Sequence, residues 1–276
     1  MRRVFAVHDM SGIGKCSLTA AIPIISAAGA ECNPIPTAVL SSHTGNISGY
    51  TFRDLTDDLY DYIAHWKKIG IRPDTIYSGY LGSVEQIEFV ASVIRDFSDE
   101  KTLVIVDPAM ADSGVLYTGF DVSFADKIKK LCSMADVITP NLTEACILTG
   151  IGYREVYDES YIASLIDALS LLTGRYVILT GVSDKAGMTG CCVYDSLNSD
   201  LRYFSSEKCD GVYYGTGDVF SSVLTALMTN GINIFEAAEK AVEFTYKAVY
   251  ETYTEGTDTR LGIAFEKFLG DLIREE

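Results

Sequence analysis

Short apolar runs rich in β-branched residues alternate with longer amphipathic stretches along most of this chain. The apolar runs predict strands, and the stretches between them predict helices. The predicted strands are Arg3–Val7, Asn33–Val39, Thr75–Tyr77, Leu103–Val106, Val137–Ile138 and Tyr176–Thr180, and the predicted helices cover 16–28, 55–69, 83–97, 122–134, 142–149 and 159–172. Strands that are apolar throughout and separated by helices indicate an α/β fold whose mainly parallel sheet is covered on both faces.

The pattern changes in the last third of the chain. Two runs, Gly190–Asp195 and Leu201–Ser205, flank the turn residues Asn198 and Ser199 and predict a β-hairpin. Three further helices are expected near 217–230, 234–252 and 260–273. Because no repeat, low-complexity tract or linker divides the chain, we expect a single α/β domain over residues 1–276.

Charge and cysteine content exclude several classes of protein. The 276 residues carry 22 basic and 38 acidic side chains, a net charge of −16 that repels nucleic acids and anionic membranes. No apolar run approaches the roughly 18 residues of a membrane span, and Val4–Val7 is too short for a signal-peptide core, so we expect a cytoplasmic protein without nucleic-acid or membrane partners. Seven cysteines without C-x-x-C spacing argue against a disulfide framework or a structural zinc site.

Polar residues of types that suit catalysis or ligand binding follow the predicted strands. In sheets of this kind ligands bind beyond the carboxyl ends of the strands, where the loops gather. The loops concerned are 8–14, 43–49, 78–83, 107–113, 139–144 and 180–181. Their convergence predicts a binding site at that edge of the sheet.

The tetrapeptide Gly215-Thr216-Gly217-Asp218 precedes a predicted helix. Its two glycines allow successive N–H groups to point into one concavity, and the helix adds its positive end, which together form an anion hole for a phosphoryl group. Asp218 would lie in the first helical turn and accept the proton of an attacking hydroxyl group. Alternatively, Asp218 only complements the helix dipole.

Three further residues point to metal or nucleotide binding, each with a structural alternative. Asp107 follows a buried strand, where it suits metal or phosphate chemistry, although an Asp before proline is also an ordinary turn residue. Asn141 and Glu144 have the spacing of a helix capping box. The functional alternative places Glu144 near Mg²⁺, through water.

Aromatic and polar residues in three other loops suggest a substrate pocket. His43 lies in a polar loop, where it binds a ring substituent or satisfies the loop backbone. Tyr80 lies between two glycines and either packs at a helix start or lies along a planar substrate. The segment Ser11–Ser17 resembles a phosphate-binding loop but fails that pattern, so it touches a ligand or only turns the chain. His8 has either role, and His65 is interpreted as structural.

Five motifs together resemble the pyridoxal/pyridoxamine kinases, the vitamin kinases of the ribokinase-like superfamily. They are Ser42-His43-Thr44-Gly45, Ser78-Gly79-Tyr80-Leu81-Gly82-Ser83, Asp107-Pro108-x-Met110, Thr139-Pro140-Asn141-Leu142-x-Glu144 and Gly215-Thr216-Gly217-Asp218. Each is modest alone, but their order and spacing are specific, and the resemblance extends from Val4 to about Leu269.

The resemblance implies a ribokinase-like three-layer αβα sandwich that phosphorylates the 5′-hydroxymethyl group of a vitamin B6 vitamer with ATP. Asp218 would be the general base and Gly215, Thr216 and Gly217 the anion hole. Mg²⁺ would be held by Asp107 and Glu144, and ATP by Asp107, Asn141, Glu144 and Thr180. The pyridine pocket would contain Asp9, Ser11, His43, Thr44 and Tyr80. Members are commonly homodimers that use MgATP, often with a monovalent cation such as K⁺.

Two alternatives remain at this point. The hydroxymethylpyrimidine kinases share the fold and mechanism, but typically carry cysteine where this chain has Asp218. A non-catalytic vitamin-binding protein is suggested by Ala109 and Ala111, which replace the Val and Gly of many relatives, and by the unusual first loop His8–Ser11. The intact Gly215–Asp218 motif favours a kinase. Sugar kinases of the superfamily need a multi-strand lid, for which the residues before the second predicted helix are too few.

Overall fold

The computed structural model describes residues 1–273, in which strands and helices alternate. In chain order the elements are β1 (Arg3–Ser11), α1 (Leu18–Ala27), β2 (Glu31–Leu40), β3 (Phe52–Asp54), α2 (Thr56–Lys68), β4 (Thr75–Ser78), α3 (Val84–Phe97), β5 (Leu103–Val106), β6 (Ala111–Asp112), β7 (Val115–Leu116), α4 (Val122–Cys132), β8 (Val137–Ile138), α5 (Leu142–Thr149), α6 (Glu159–Ser170), β9 (Tyr176–Thr180), β10 (Met188–Asp195), β11 (Asp200–Glu207), α7 (Thr216–Thr229), α8 (Ile234–Glu255) and the 3₁₀ segments Thr259–Leu261 and Phe265–Leu272.

The central sheet has nine strands in the order β11-β10-β9-β8-β5-β4-β1-β2-β3. All pairings from β9 through β8, β5, β4 and β1 to β2 are parallel, whereas β10 pairs antiparallel with both β9 and β11, and β3 pairs antiparallel with β2. Helices cover both faces, because alternate residues of a strand face opposite sides. Val4 packs into the core with α1, α7 and α8, whereas Phe5 and Val7 pack into the core with α2 to α6. The predicted three-layer αβα sandwich is confirmed.

The first strand is longer than predicted. It continues past Val7 to Ser11 and pairs with β2 as far as Leu40, with an irregularity between His8 and Met10. The polar residues His8 and Ser11 are buried inside this strand. Their polarity predicts a loop from His8 onwards, but the strand continues through them. The edge strand β3 was not predicted, because its three residues are all exposed and carry no apolar pattern.

The predicted helix over 260–273 is wrong. Two 3₁₀ segments take its place, separated at Gly262, whose φ of 88° is not helical. A Cβ at Gly262 would lie 2.7 Å from Cβ of Lys15, so the close approach of another segment sets the backbone conformation there. The predicted hairpin around Asn198 and Ser199 is confirmed as β10 and β11, and a second small hairpin, β6 and β7, follows β5.

Every strand of the main sheet lies between Arg3 and Glu207, and α7 and α8 pack on it. The expectation of one domain over residues 1–276, of which 274–276 lie outside the described part, stays a prediction. Among the described residues, no helix has both the length and the apolar character needed to cross a membrane.

Candidate active site

The carboxyl ends of the parallel strands meet at one edge of the sheet, and backbone hydrogen bonds join the loops that leave it. The N–H of Asp107 donates to Ser78 O at 2.9 Å, which ties the end of β5 to β4. The N–H of Thr139 donates to Val106 O at 3.2 Å, and the N–H of Thr180 donates to Pro140 O at 2.9 Å. The predicted site loops are therefore neighbours in space.

The bend at Gly215 leads into α7. Gly215 has φ 78° and ψ 2°, and a Cβ there would lie 2.3 Å from Lys15 O, so only glycine fits this position. The helix that follows has amides in its first turn without intrahelical partners, at its positive end. Gly217 is exposed and Asp218 is half-buried, so the bend is open to ligands.

Asp218 has an unusual protonation equilibrium. Burial, followed by the charges of Asp107 and Asp9, raises its pKa to about 8, while a hydrogen bond from the backbone of Ser17 opposes the shift. Such a carboxylate is a stronger base than an ordinary aspartate, and its pKa lies close to neutral pH. The geometry and the pKa both suit proton acceptance.

Asp107 is connected to the helix that carries Asp218. Its Oδ2 accepts a hydrogen bond of 2.9 Å from Ser221, which lies three residues after Asp218 on α7. Ser221 Oγ is also 3.2 Å from Oγ1 of Thr139. Burial raises the pKa of Asp107 to about 6. Ser221 was not identified from the sequence, although its i+3 spacing from Asp218 could have suggested it.

Glu144 is buried, with 2% of its surface exposed, and its carboxylate is held by backbone amides. Oε1 accepts from the N–H groups of Met110 and Ala111 at 3.0 and 3.4 Å, and Oε2 accepts from Asn141 N at 2.9 Å. With Asn141 as N-cap, these contacts complete the capping box at the start of α5. Burial and the charge of Asp107 raise the pKa of Glu144.

The two carboxylates also suit a metal ion that arrives with a ligand. Among the described residues, no group of three or more His, Cys, Asp or Glu side chains is arranged to hold a metal ion. Mg²⁺ in phosphoryl-transfer sites is usually held by one or two carboxylates together with phosphate oxygens and water. The negative charges of Asp107 and Glu144 repel one another, and a divalent cation bound between them and a nucleotide would relieve that repulsion. The residues present therefore fit Mg²⁺ bound with a nucleotide.

Asn141 and Thr180 lie side by side at the ends of β8 and β9, where they form an isolated β-bridge. The Asn141 side chain accepts from Glu144 N and donates to Ala111 O, at 2.9 and 2.8 Å. The Thr180 hydroxyl is 3.4 Å from Pro140 O. Both side chains are half-buried at the same edge as Asp107.

Asp9 is buried near the end of β1, where two hydroxyl groups hold its carboxylate. Ser17 donates to Oδ1 at 2.6 Å and Ser11 donates to Oδ2 at 3.0 Å. Burial raises the pKa of Asp9. Ser11 is itself fully buried, so it supports the Asp9 carboxylate from beneath. Ser17 was not among the predicted site residues.

Both ring nitrogens of His43 are bonded within the protein. Nδ1 accepts from Gly45 N at 3.0 Å, which leaves the proton on Nε2 to donate to the carbonyl of Arg260. The ring packs 5.4 Å from that of Tyr214, centre to centre. Thr44 is exposed beside it. His43 therefore bonds to the backbone of its own loop and to that of a distant segment, and a contact with substrate stays a prediction.

Tyr80 and His8 differ in how far their side chains are exposed. Tyr80 is half-buried and stacks on Phe120 at 5.7 Å; burial, followed by the charge of Asp9, raises its pKa to about 12. His8 is fully buried in β1, where burial lowers its pKa to about 3 and keeps it neutral. A Cβ on Gly79 would lie 2.3 Å from Nδ1 of His8, so that ring is a packing residue.

Known proteins resemble this chain in sequence and in fold. The family model described as phosphomethylpyrimidine kinase matches residues 18–261. A Bacteroides thetaiotaomicron protein, provisionally named a phosphomethylpyrimidine kinase and crystallised with pyridoxal, is 38% identical, with a TM-score of 0.93 over 98% of this chain and 95% of that one. Pyridoxal kinase from Lactobacillus plantarum is 30% identical, with a TM-score of 0.91 over 99% and 96%.

A curated relative points towards the pyrimidine branch. The hydroxymethylpyrimidine/phosphomethylpyrimidine kinase of Bacillus subtilis is 30% identical over 68% of this chain and 67% of that enzyme. Since the family model spans most of the sequence and the fold agrees along nearly the whole chain, this protein belongs to the phosphomethylpyrimidine kinase family and has the ribokinase-like fold of its pyridoxal kinase relatives.

Proposed function

We propose that this chain transfers the γ-phosphoryl group of ATP to the 5′-hydroxymethyl group of a vitamin B6 vitamer, giving the 5′-phosphate and ADP. The observation that carries the proposal is the bend Gly215–Asp218. It brings the free amides at the N-terminus of α7 next to a carboxyl group with a pKa of about 8. An anion hole and a base at one point serve a reaction that needs both, which is phosphoryl transfer to a hydroxyl group.

In this proposal Asp218 accepts the hydroxyl proton of the vitamer as its oxygen attacks phosphorus. The amides of Gly215, Thr216 and Gly217 donate to the transferred group. Because the pKa of Asp218 is near 8, most of the protein carries the protonated acid at neutral pH, and the smaller ionised fraction is the active one, so the rate should rise with pH through this range.

The nucleotide lies on the other side of the transferred group. Asp107 and Glu144 would hold Mg²⁺, Glu144 through water, and Asn141 and Thr180 would contact the phosphates. The metal neutralises charge on the phosphate oxygens when it is bound. The net charge of −16 makes such local charge compensation necessary, since the chain as a whole repels ATP.

The vitamer ring lies between Tyr80 and the loop that contains His43 and Thr44, above Asp9 and Ser11. A Bacteroides thetaiotaomicron relative that is 38% identical holds pyridoxal in its crystal, which supports a pyridine substrate. We also propose, from the resemblance alone, a homodimer in the cytoplasm that uses K⁺ as a monovalent cation.

The second candidate is phosphorylation of hydroxymethylpyrimidine, which the match to the phosphomethylpyrimidine kinase model favours. Aspartate rather than cysteine at position 218 favours the vitamin B6 reaction. A non-catalytic binding protein would have no use for a base beside an anion hole.

A substrate panel distinguishes these functions. Purified protein with MgATP is assayed for ADP release with pyridoxal, pyridoxine, pyridoxamine and hydroxymethylpyrimidine, against a blank without acceptor. We expect kcat/KM for the best vitamer to exceed that for the pyrimidine by about tenfold or more. A preference for the pyrimidine would establish the second candidate, and binding without ADP release from any acceptor would rule out both kinases.

A further inference from the structure

Ser17 ends the glycine-bearing turn between β1 and α1 and adopts an unusual backbone conformation. Its φ of 50° and ψ of −130° lie in a region that residues with a side chain rarely occupy. Glycine adopts it without steric cost. A serine at this position is strained, and such strain persists only where the surrounding contacts hold it.

The hydroxyl of Ser17 binds a buried carboxylate. It donates to Oδ1 of Asp9 at 2.6 Å, and each of the two residues has 5% of its surface exposed. A serine before a helix normally accepts a hydrogen bond from an amide of the first turn. Within the described chain, Ser17 makes no such capping bond. Its side chain therefore holds Asp9 and leaves α1 without a side-chain cap.

The turn that ends at Ser17 also adjoins the segment that carries Asp218. It packs against the anion-hole bend, because a Cβ on Gly215 would lie 2.3 Å from Lys15 O and 3.4 Å from Sγ of Cys16. The backbone of Ser17 acts to lower the pKa of Asp218, against the effect of burial. Ser17 thus bonds to Asp9 through its side chain, and its turn packs against the bend that carries Asp218.

We propose that Ser17 is a positioning residue for Asp218, and that Asp9 acts through it. The hydrogen bond between Asp9 and Ser17 holds the strained turn against the bend Gly215–Asp218, and this packing fixes the orientation of the Asp218 carboxyl group towards the attacking hydroxyl. This inference rests on the proposed role of Asp218 as the base. Ser17 itself does not contact the substrate.

Replacement by glycine separates positioning from folding. Ser17→Gly keeps the turn free of steric strain and removes the hydroxyl group that holds it. We expect kcat to fall about tenfold, because small misplacements of a catalytic group are costly, while the KM values for pyridoxal and MgATP change by less than about threefold. The thermal midpoint should equal or exceed that of the wild type. A merely structural role would lower the midpoint and the activity together.

Two further variants complete the design. Ser199 has a φ of 51° in the exposed turn between β10 and β11, so Ser199→Gly is a matched control that should leave kcat unchanged. If Asp9 acts through Ser17, the kcat losses of Asp9→Ala and Ser17→Gly should not multiply in the double variant. Multiplicative losses would show that the two residues act separately and would overturn the coupling.

The Asp218→Asn variant separates failure of this inference from failure of the function. If Ser17→Gly keeps wild-type kcat while Asp218→Asn loses about 10² or more, the positioning role is refuted and the kinase proposal stands. If Asp218→Asn keeps wild-type turnover, the base assignment fails, and the role of Ser17 fails with it.

Discussion

The two halves of the candidate site are assembled differently. The half that we propose binds phosphate, called the phosphate half, comprises Gly215–Asp218, Asp107 and Glu144, which lie at the ends of neighbouring strands and the starts of the helices that follow. The half that we propose binds the vitamer, called the vitamer half, comprises residues 9–11 and the loop 41–46, and that loop is held by contacts with remote segments. His43, for example, bonds to the carbonyl of Arg260, 217 residues further along the chain.

This difference shows which part of such a site a sequence encodes locally. A glycine bend before a helix and an Asn-x-x-Glu cap have their geometry within a few residues. The orientation of His43 depends instead on Arg260 and Tyr214, which belong to segments with no pattern in common. Substitutions in the phosphate half should therefore affect turnover and stability strongly, and those in the vitamer half should mainly affect substrate binding.

The largest effect is expected at the anion hole. In Gly215→Ala the new Cβ would lie 2.3 Å from Lys15 O in a backbone of positive φ, so the bend must move. We expect kcat to fall by about 10² to 10³, as for loss of an oxyanion-hole donor. Steady-state kinetics with pyridoxal and MgATP measures this loss.

The control for that variant is Gly256→Ala. Gly256 also has a positive φ, of 64°, at the end of α8, but a Cβ there meets nothing within 4 Å among the described residues. The Gly256→Ala substitution should lower the stability of the protein slightly and leave kcat near the wild-type value. Equal losses of kcat in the two variants would show that positive φ alone, and not the anion hole, explains the effect.

The second effect concerns stability. Glu144→Ala leaves three backbone N–H donors without their acceptor, two of them in the loop after β5. We expect the free energy of unfolding to fall by about 3 kcal/mol, since each buried unsatisfied donor costs about 1 kcal/mol or more. Denaturant unfolding at neutral pH measures it.

The matched control is Glu236→Ala. Asn233 and Glu236 repeat the Asn-x-x-Glu spacing at the start of α8, but Glu236 is 43% exposed. Its loss should cost less than about 1 kcal/mol, because water replaces the missing partner. A loss at Glu144 no larger than that at Glu236 would contradict the buried amide contacts described for Glu144.

The third effect is a dependence of stability on pH. Folding raises the pKa of Asp218 from 3.8 to about 8, so between these values the folded protein binds the proton that the unfolded chain has released. The free energy of unfolding should therefore decrease as pH rises from about 4 to 8, by at least about 1 kcal/mol from this group. Asp107 acts in the same direction, with a pKa of about 6.

Replacing the titrating group isolates its share. Asp218→Asn should be more stable than the wild type at pH 8, and the difference should shrink towards pH 4. Parallel unfolding free energies for the two proteins across this range would show that Asp218 titrates normally. A more stable Asp218→Asn at pH 8 would mean that the strongly basic Asp218 destabilises the folded protein.

The smallest effect is expected in the vitamer half. His43→Asn removes the bond to Arg260 and the ring contact with Tyr214, and it loosens two loops without touching the anion hole. We expect KM for pyridoxal to rise about threefold to tenfold with little change in kcat. A fall in kcat with unchanged KM would contradict the separation of the two halves.

The sequence predicted the parallel sheet, the bend at Gly215 and the cap at Asn141, because each of these depends on a local pattern. It did not predict that β1 continues to Ser11, since His8, Asp9 and Ser11 are polar residues of the kind that usually indicates a loop, although here they are buried. The helix predicted over 260–273 failed because Gly262 adopts its conformation against Lys15, a contact between distant segments. Ser17 was overlooked for the same reason, because its partner Asp9 and the bend at Gly215 meet its turn only in the folded chain.

The proposed role of Asp218 can be measured most directly in single-turnover phosphorylation of the preferred vitamer by wild type and Asp218→Asn, with MgATP affinity determined in parallel. The account predicts a loss of about 10² or more in the rate of transfer, with MgATP affinity retained, because the asparagine cannot accept the hydroxyl proton. A transfer rate within about twofold of the wild type would contradict it.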